Sequence, residues 1–256
     1  MTTTSSKNKE EQRREYQGIT YFDRGTVTGR DGVSYDRFAI QTHFVNRGES
    51  QFDLVEKYFM PLYQPGDVLS FGAKVMAMCV QSVRTREEVK PGFWANLLWR
   101  FAASNETGIG MHEPGKMQLV IDMVGLPRVL LAATLSAITK PFGKKGVFYE
   151  VCGKGIGGID GFYERSSFDV YKDLAVINPT NPDQLSDELA ARFHIPVVLM
   201  DANDIQRDQL GKSSNMPLTD EQIQDAMVDN PSGQDDELTP LILIRPSSNE
   251  SASQHQ

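Results

Sequence analysis

Two acidic side chains and an amide near the end of an apolar segment could bind a divalent cation. Asp201 and Asp204, with Asn203 between them, follow the fully apolar residues 195–200. Carboxylate and amide oxygens are the hard donors that Mg²⁺ and Mn²⁺ prefer. A strand that ended here would deliver Asp201 at its carboxyl end, towards a cleft. The same residue types also cap helices, so this segment alone leaves both interpretations open.

A glycine-dense loop carries a second candidate carboxylate. Gly153, Gly155 and Gly158 formally satisfy the Gly-x-Gly-x-x-Gly pattern, and Asp160 follows them. A dinucleotide-binding loop must open a helix, and the residues after Asp160 have no helical pattern, so a Rossmann site is disfavoured. A loop whose backbone approaches an anion and a plain tight turn both remain open. Asp160, flanked by glycine, is either a metal ligand or a turn-capping residue.

A third oxygen-rich loop, residues 229–240, precedes the last apolar segment. Each of the three loops adjoins an apolar strand candidate. Together they favour a divalent-metal phosphate site more than any one of them does alone.

Other catalytic motifs are weak or missing from the sequence. Gly211-Lys212-Ser213 matches the end of a P-loop, but the glycine that the motif needs five residues earlier is Gln206. The four histidines lack zinc-ligand spacing, and no G-x-S-x-G motif occurs. A kinase or NTPase that uses Lys212 is therefore a third and weaker hypothesis.

The elements expected to position these residues mix strands and helices irregularly, which indicates the α+β class. Strands are expected over 38–45, 67–78, 146–152, 195–200 and 241–244. Helices are expected over 51–62, from Pro91, over 115–124 and 128–137, from Asn181-Pro182-Asp183, and after Thr219, which has Gln222 three residues on.

Composition narrows the classes of partner. The 256 residues include 26 Lys and Arg against 34 Asp and Glu, a net charge of −8, which disfavours nucleic acid and anionic membranes. The apolar window 129–138 is shorter than the roughly 20 residues that span a bilayer. Two cysteines without metal or C-x-x-C spacing and a charged, apolar-poor start suggest a cytoplasmic protein. Residues 1–17 and 248–256 are expected to be disordered tails around one domain, 18–247.

Five segments in this order resemble the gamma-glutamyl ligase family of the deazaflavin coenzyme F-420. The resemblance covers about residues 38–245, and the chain looks like a divergent member. The segments are THFVNRGES, PGDVLSFGAKVMA, GVFYEVCGKGIGGIDG, NPTNPDQLSDELAARFHIPVVLMDAND and NPSGQDDELTPLILIRP.

The resemblance implies a two-lobed α+β fold with mixed sheets and flanking helices, assembled as a homodimer. It implies a GTP-dependent and Mg²⁺- or Mn²⁺-dependent ligase, which activates a small carboxylate as an acyl phosphate for attack by the amine of glutamate. It assigns no catalytic residue. The nucleotide contacts that it implies are Thr42, His43, Phe44, Val45, Ala73, Lys74, Gly233 and Gln234. The metal contacts that it implies are Asp160, Asp201 and Gln234.

Several positions depart from the family pattern. The family's Ser-Lys-Ala-Glu-Gly run falls on residues 77–81, Ala-Met-Cys-Val-Gln, without the lysine or the carboxylate. The hydroxyl residue after the second metal aspartate is Ala202, and the asparagine after the first motif falls at Tyr163. The stretch between Asp204 and Asn230 is short, which points to an acceptor other than a phosphorylated deazaflavin. The alternative is a non-catalytic nucleotide- or metabolite-binding protein with the ligase fold.

Overall fold

The computed structural model describes residues 12–101, 113–144, 146–162, 172–202, 207–233 and 237–247. These residues form two compact units. Unit 1 takes its described residues from Met1–Gln81 and Asn181–Gln256, and unit 2 takes its own from Ser82–Thr180. The α+β class is confirmed, with a mixed seven-stranded sheet in unit 1 and flanking helices.

The strands of the described part are numbered in chain order. They are β1 Arg13–Tyr16, β2 Ile19–Thr28, β3 Ser34–Ile40, β4 Val68–Gly72, β5 Val83–Thr85, β6 Ile159–Gly161, β7 Leu174–Ile177, β8 Val197–Ala202, β9 Arg207–Lys212 and β10 Leu241–Ser247. The large sheet has the order β1-β2-β3-β10-β4-β8-β9, and the small sheet has the order β5-β7-β6. Within these sheets β4 and β8 are parallel, and every other neighbouring pair is antiparallel.

The α-helices of the described part are α1 Gln51–Leu54, α2 Ala73–Cys79, α3 Phe93–Leu98, α4 Pro114–Val124, α5 Leu126–Thr139, α6 Val147–Cys152, α7 Pro182–Phe193 and α8 Asp220–Ala226. A π-helical turn, Val55–Phe59, continues α1. Short 3₁₀ turns cover Trp99–Phe101, Lys140–Phe142 and Lys154–Gly158.

The last strand is the centre of unit 1. Successive side chains of a strand point to opposite faces of its sheet. Leu241 and Leu243 of β10 accordingly join one buried cluster, and Ile242 and Ile244 join another on the opposite face. The central strands are therefore apolar on both faces, which requires helices on both sides of the sheet.

Helices cover both faces of this sheet. Leu54, Met76 and Leu189, from α1, α2 and α7, pack into the cluster of Leu241. On the other face α8 packs into the cluster of Ile242. This helix begins with a capping box in which Thr219 and Gln222 satisfy each other's backbone N–H groups, as predicted.

Unit 2 has its own core. Helices α3 to α6 and the strands β6 and β7 contribute buried side chains to one cluster, among them Ala95, Val120, Val129 and Ala175. The apolar periodicity of residues 115–124 and 128–137 correctly predicted α4 and α5.

Two expected strands are too long. The strand predicted over 38–45 ends at Ile40, and residues 41–46 are irregular. The strand predicted over 67–78 ends at Gly72, where α2 begins. In α2 the residues Ala73, Met76 and Ala77 are buried at helical spacing, and that packing decides for a helix over the β-rich local composition.

The strand predicted over 146–152 is wrong, because Val147–Cys152 is the helix α6. Glycines with positive φ, Gly146 and Gly153, flank this helix, and Arg128 donates to the Val151 carbonyl over 2.7 Å. The N-terminal tail also differs from the expectation: Arg13–Tyr16 pair with β2 as strand β1. Residues 1–11 and 248–256 lie outside the described residues.

Candidate functional site

One edge of the large sheet gathers segments that are far apart in sequence. In the parallel pair, Gly72 of β4 aligns with Met200 of β8. Ala73 and Lys74, which follow β4, and Asp201, near the end of β8, therefore lie at the same edge of the sheet. In α/β sheets ligands bind outside the carboxyl ends of parallel strands.

Two further segments reach this edge. Ile40, the last residue of β3, aligns with Leu241, the first residue of β10. Thr42 donates its backbone N–H to the Leu238 carbonyl over 2.9 Å. Gly72 likewise donates to the Pro240 carbonyl over 2.8 Å. We call residues 41–49, 73–74, 201 and 237–240 the carboxyl edge.

Only some of the candidate nucleotide contacts have side chains that a ligand can reach. Val45 and Ala73 are core residues, so only their backbone groups are available to a ligand. Thr42 is buried, and its hydroxyl donates to the His43 carbonyl over 2.8 Å. The side chains of His43, Phe44 and Lys74 are exposed or half-buried.

His43 is held between two side chains that the sequence did not single out. Its Nε2 lies 2.5 Å from Glu49 Oε2, and its Nδ1 lies 2.8 Å from the Tyr58 hydroxyl. The other Glu49 oxygen accepts from the Asn46 backbone N–H at 2.7 Å and from its side-chain amide at 2.8 Å. A carboxylate six residues after a histidine, next to Gly48, is the only sequence signal of this cluster.

The surroundings of Glu49 favour the ionised form of its carboxyl group. Partial burial raises the pKa of Glu49, but hydrogen bonds from the Asn46 backbone, from His43 and from the Asn46 amide outweigh it. The pKa of this carboxyl therefore lies below its ordinary value. Cys79 lies near it, and burial, reinforced by the charge of Glu49, raises the pKa of the Cys79 thiol to about 12. This cysteine is a buried core thiol, and its raised pKa disfavours the reactive thiolate.

Gly233 lies in a turn that needs glycine. Its φ is +72°, and a side chain there would collide with Glu237 and Arg24, which form an ion pair. Arg24 also donates to the Pro231 carbonyl over 3.0 Å. Gln234, expected to contact both nucleotide and metal, lies outside the described residues.

Asp201 faces another carboxylate. It is half-buried, and it aligns with Asp208 in the antiparallel pair of β8 and β9. Carboxylate oxygens suit Mg²⁺ or Mn²⁺, so this donor set fits the predicted cation. Asn203 and Asp204 lie in the loop 203–206, outside the described residues. Within the described ranges no three His, Cys, Asp or Glu side chains are arranged to hold a metal ion.

Asp160 belongs to the other unit. Its backbone pairs with Val176 in β6 and β7 of unit 2, whereas Asp201 lies in unit 1. The expected convergence of these two carboxylates stays a prediction. Tyr163, at the expected asparagine position, lies outside the described residues.

The alternative motifs gain no support. The loop at Gly153 continues into a 3₁₀ turn and the strand β6, without the helix that a dinucleotide site needs. Lys212, the P-loop candidate, pairs with Asp220 over 2.7 Å. Gly211 packs against the backbone of Asp183, with no room for a Cβ atom.

Comparisons with known proteins leave the family open. No protein-family model matches the chain, and no curated protein matches it.

The described helices differ in length and apolarity from a membrane-spanning helix. No individual helix in the described ranges is both long enough and apolar enough to cross a bilayer. Pro114–Val124 and Leu126–Phe142 reach the required length and apolarity only when counted together, and a bend of 116° separates them.

Proposed function

We propose that the chain is a nucleotide- and divalent-metal-dependent amide ligase, using GTP. It activates a carboxylate as an acyl phosphate, and an amine such as that of glutamate displaces the phosphate. One observation carries the proposal. The candidate phosphate residues that follow β3 and β4, the candidate metal residue Asp201 near the end of β8, and the segment before β10 lie at the carboxyl edge of one sheet.

The charges at this edge suit phosphoryl transfer. Lys74 follows β4 directly, and its ammonium group would stabilise the negative charge of the transferred phosphate. Asp201 would hold the cation, with Asp208 opposite it. A bound Mg²⁺ or Mn²⁺ would supply further neutralisation of the phosphate oxygens. The Pro240 carbonyl packs closely against Gly72, which holds the segment before β10 beside the end of β4.

The reaction can be tested with defined probes. The full chain is incubated with GTP, MnCl₂, L-glutamate and a panel of small carboxylic acids. Released phosphate and new amides are measured, with hydroxylamine added in parallel to trap an acyl phosphate as a hydroxamate. We expect metal-dependent phosphate release that glutamate stimulates. Failure to form phosphate, amide and hydroxamate across the panel would overturn the proposal.

Assembly is part of the same proposal. We expect the ligase to work as a homodimer, which light scattering coupled to size exclusion tests directly. A monomer with full activity would contradict this part alone.

A non-catalytic nucleotide-binding protein is the second candidate, and α2 favours it. Residues 77–81 replace the family's lysine- and glutamate-bearing run, and Ala77, Met78 and Cys79 are buried in the helix. These side chains therefore offer no charge to a phosphate. Calorimetric binding of GDP with Mn²⁺, without turnover of GTP, would select this candidate.

A further inference from the structure

Two polar side chains of the carboxyl edge, Glu49 and His43, form a continuous hydrogen-bonded chain with Tyr58 of the π-helical turn. It runs from Glu49 through the ring of His43 to the Tyr58 hydroxyl, over 2.5 and 2.8 Å. All three residues belong to unit 1, and His43 follows β3 by three residues. His43, at the middle of this hydrogen-bonded series, lies in the same segment as the candidate nucleotide contacts.

The surroundings fix the direction of the hydrogen bonds. Glu49 is an acceptor only, since its pKa is lowered and Asn46 donates to its other oxygen. Nε2 of His43 therefore carries a proton, which it donates to Glu49. In the tautomer protonated at Nε2 alone, Nδ1 is an acceptor and the Tyr58 hydroxyl donates to it.

A ligand can reach one end of this hydrogen-bonded series of side chains. Both ring nitrogens of His43 are occupied, although 43% of its side chain is exposed, and Glu49 is 31% exposed. The phenol oxygen donates to Nδ1 and lies 3.4 Å from the His43 N–H, so it can accept a stronger bond from a ligand. An incoming proton would enter through Tyr58.

The charge of Glu49 favours this direction. The Lys57 ammonium lies 4.9 Å from the centre of the Tyr58 ring. A proton moving from Tyr58 to His43 moves towards the negative charge of Glu49. Electrostatics therefore stabilise the imidazolium that forms.

We propose that Glu49, His43 and Tyr58 form a proton relay that deprotonates the amine substrate. This inference rests on the proposed ligase function. As the amine nitrogen bonds to the acyl carbon, the C–O bond to phosphate breaks, and phosphate leaves with the electron pair. The amine proton passes to the Tyr58 oxygen while the phenol proton passes to Nδ1. Tyr58 is the catalytic residue, and His43 and Glu49 are positioning residues that stabilise the added charge.

The test compares amide with trapped hydroxamate, using Tyr58→Phe. Both products come from one acyl phosphate, but hydroxylamine is a reactive nucleophile that is neutral at pH 7 and needs no base. We expect Tyr58→Phe to lower the ratio of glutamyl amide to hydroxamate by about 100-fold, the usual size of general-base catalysis. Tyr63→Phe is the matched control, since Tyr63 lies in the same segment and stacks on Phe59.

A second measurement tests the roles of the positioning residues, His43 and Glu49. We expect ¹⁵N NMR of His43 in the full chain to show the tautomer protonated at Nε2, and Glu49→Gln to shift that tautomer balance. An unchanged amide-to-hydroxamate ratio in Tyr58→Phe, or a His43 protonated at Nδ1, overturns the relay while the ligase stands. If the wild type forms no phosphate, amide or hydroxamate, the ligase proposal fails, and the relay fails with it.

Discussion

Asp201 lies directly opposite Asp208 where β8 and β9 pair. Like charges that face each other across an antiparallel pair are destabilising. A divalent cation between or beside them would offset that repulsion. This arrangement makes the metal hypothesis testable by stability as well as by activity.

The first prediction concerns Asp201→Asn and Asp160→Asn. We expect each to weaken Mn²⁺ binding by at least about tenfold, measured by calorimetry, because each removes an anionic oxygen donor. Without metal, we expect the melting temperature to change by less than about 4 °C, which corresponds to about 1 kcal/mol for a domain of this size.

Glu56→Gln is the control for these metal titrations. It removes one exposed carboxylate of the π-helical turn and should leave Mn²⁺ affinity unchanged. A large loss of melting temperature in both aspartate variants would show that the two residues are structural caps.

The second prediction compares two lysines. Lys74→Ala should weaken GTP binding by about tenfold, or about 1.4 kcal/mol, because a cation near the phosphates is lost. Lys212→Ala should leave the affinity unchanged, since the Lys212 ammonium lies 2.7 Å from Asp220. The reverse order of effects would favour the P-loop hypothesis. Fluorescent-nucleotide titration measures both variants.

The third prediction concerns the ion pair between Arg245 of β10 and the buried Asp67, which directly precedes β4. Asp67 is 1% exposed and accepts two hydrogen bonds from Arg245, at 2.8 and 2.7 Å. The Asp67 hydrogen bonds, with burial opposing them, raise the pKa of Arg245. We expect Asp67→Asn to lower the free energy of unfolding by about 3 kcal/mol in urea denaturation.

The exposed pair of Arg30 and Asp225 provides the comparison. The Arg30 side chain is 71% exposed, so Arg30→Gln should cost less than about 1 kcal/mol. Equal losses in the two variants would contradict the dependence on burial.

The fourth prediction is a pH dependence. Because the pKa of Glu49 is lowered on folding, its carboxylate stabilises the fold at pH values above its ordinary pKa of about 4.3. That contribution disappears as the pH falls through the folded-state pKa. The wild type should therefore exceed Glu49→Gln in unfolding free energy at pH 6, and the difference should shrink as the pH falls through the folded-state pKa. Urea titrations at several pH values measure it, and a constant difference would refute the assignment.

The sequence predicted the local elements better than the contacts between them. The uninterrupted apolar residues 195–200 and the acidic residue after them correctly predicted a strand near Val197–Ala202 with Asp201 at its end. The composition of residues 146–152 is equally typical of a strand, yet they form α6. Burial of Val147 and Cys152, with Cys152 packed into the core of unit 2, outweighs that preference.

The candidate site is assembled by contacts between segments distant in sequence, and local sequence patterns carry no information about these contacts. His43 was assigned through the resemblance alone, and Glu49 and Tyr58 were missed because a turn and a helix bring them to its two sides. Asp208 was missed because its partner, Asp201, is fixed by the strand register, and a shift by one residue would reverse the side chain's face.

The position of β10 bears on how unit 1 is synthesised. β10 lies between β3 and β4, and its Leu241 and Ile242 complete the hydrophobic clusters on both faces. Strands β1 to β3 therefore cannot be joined to β4 by sheet hydrogen bonds until residues 241–247 have left the ribosome. The nascent chain must hold two separate half-sheets with unprotected apolar edges, and premature termination before Leu241 would leave an aggregation-prone product.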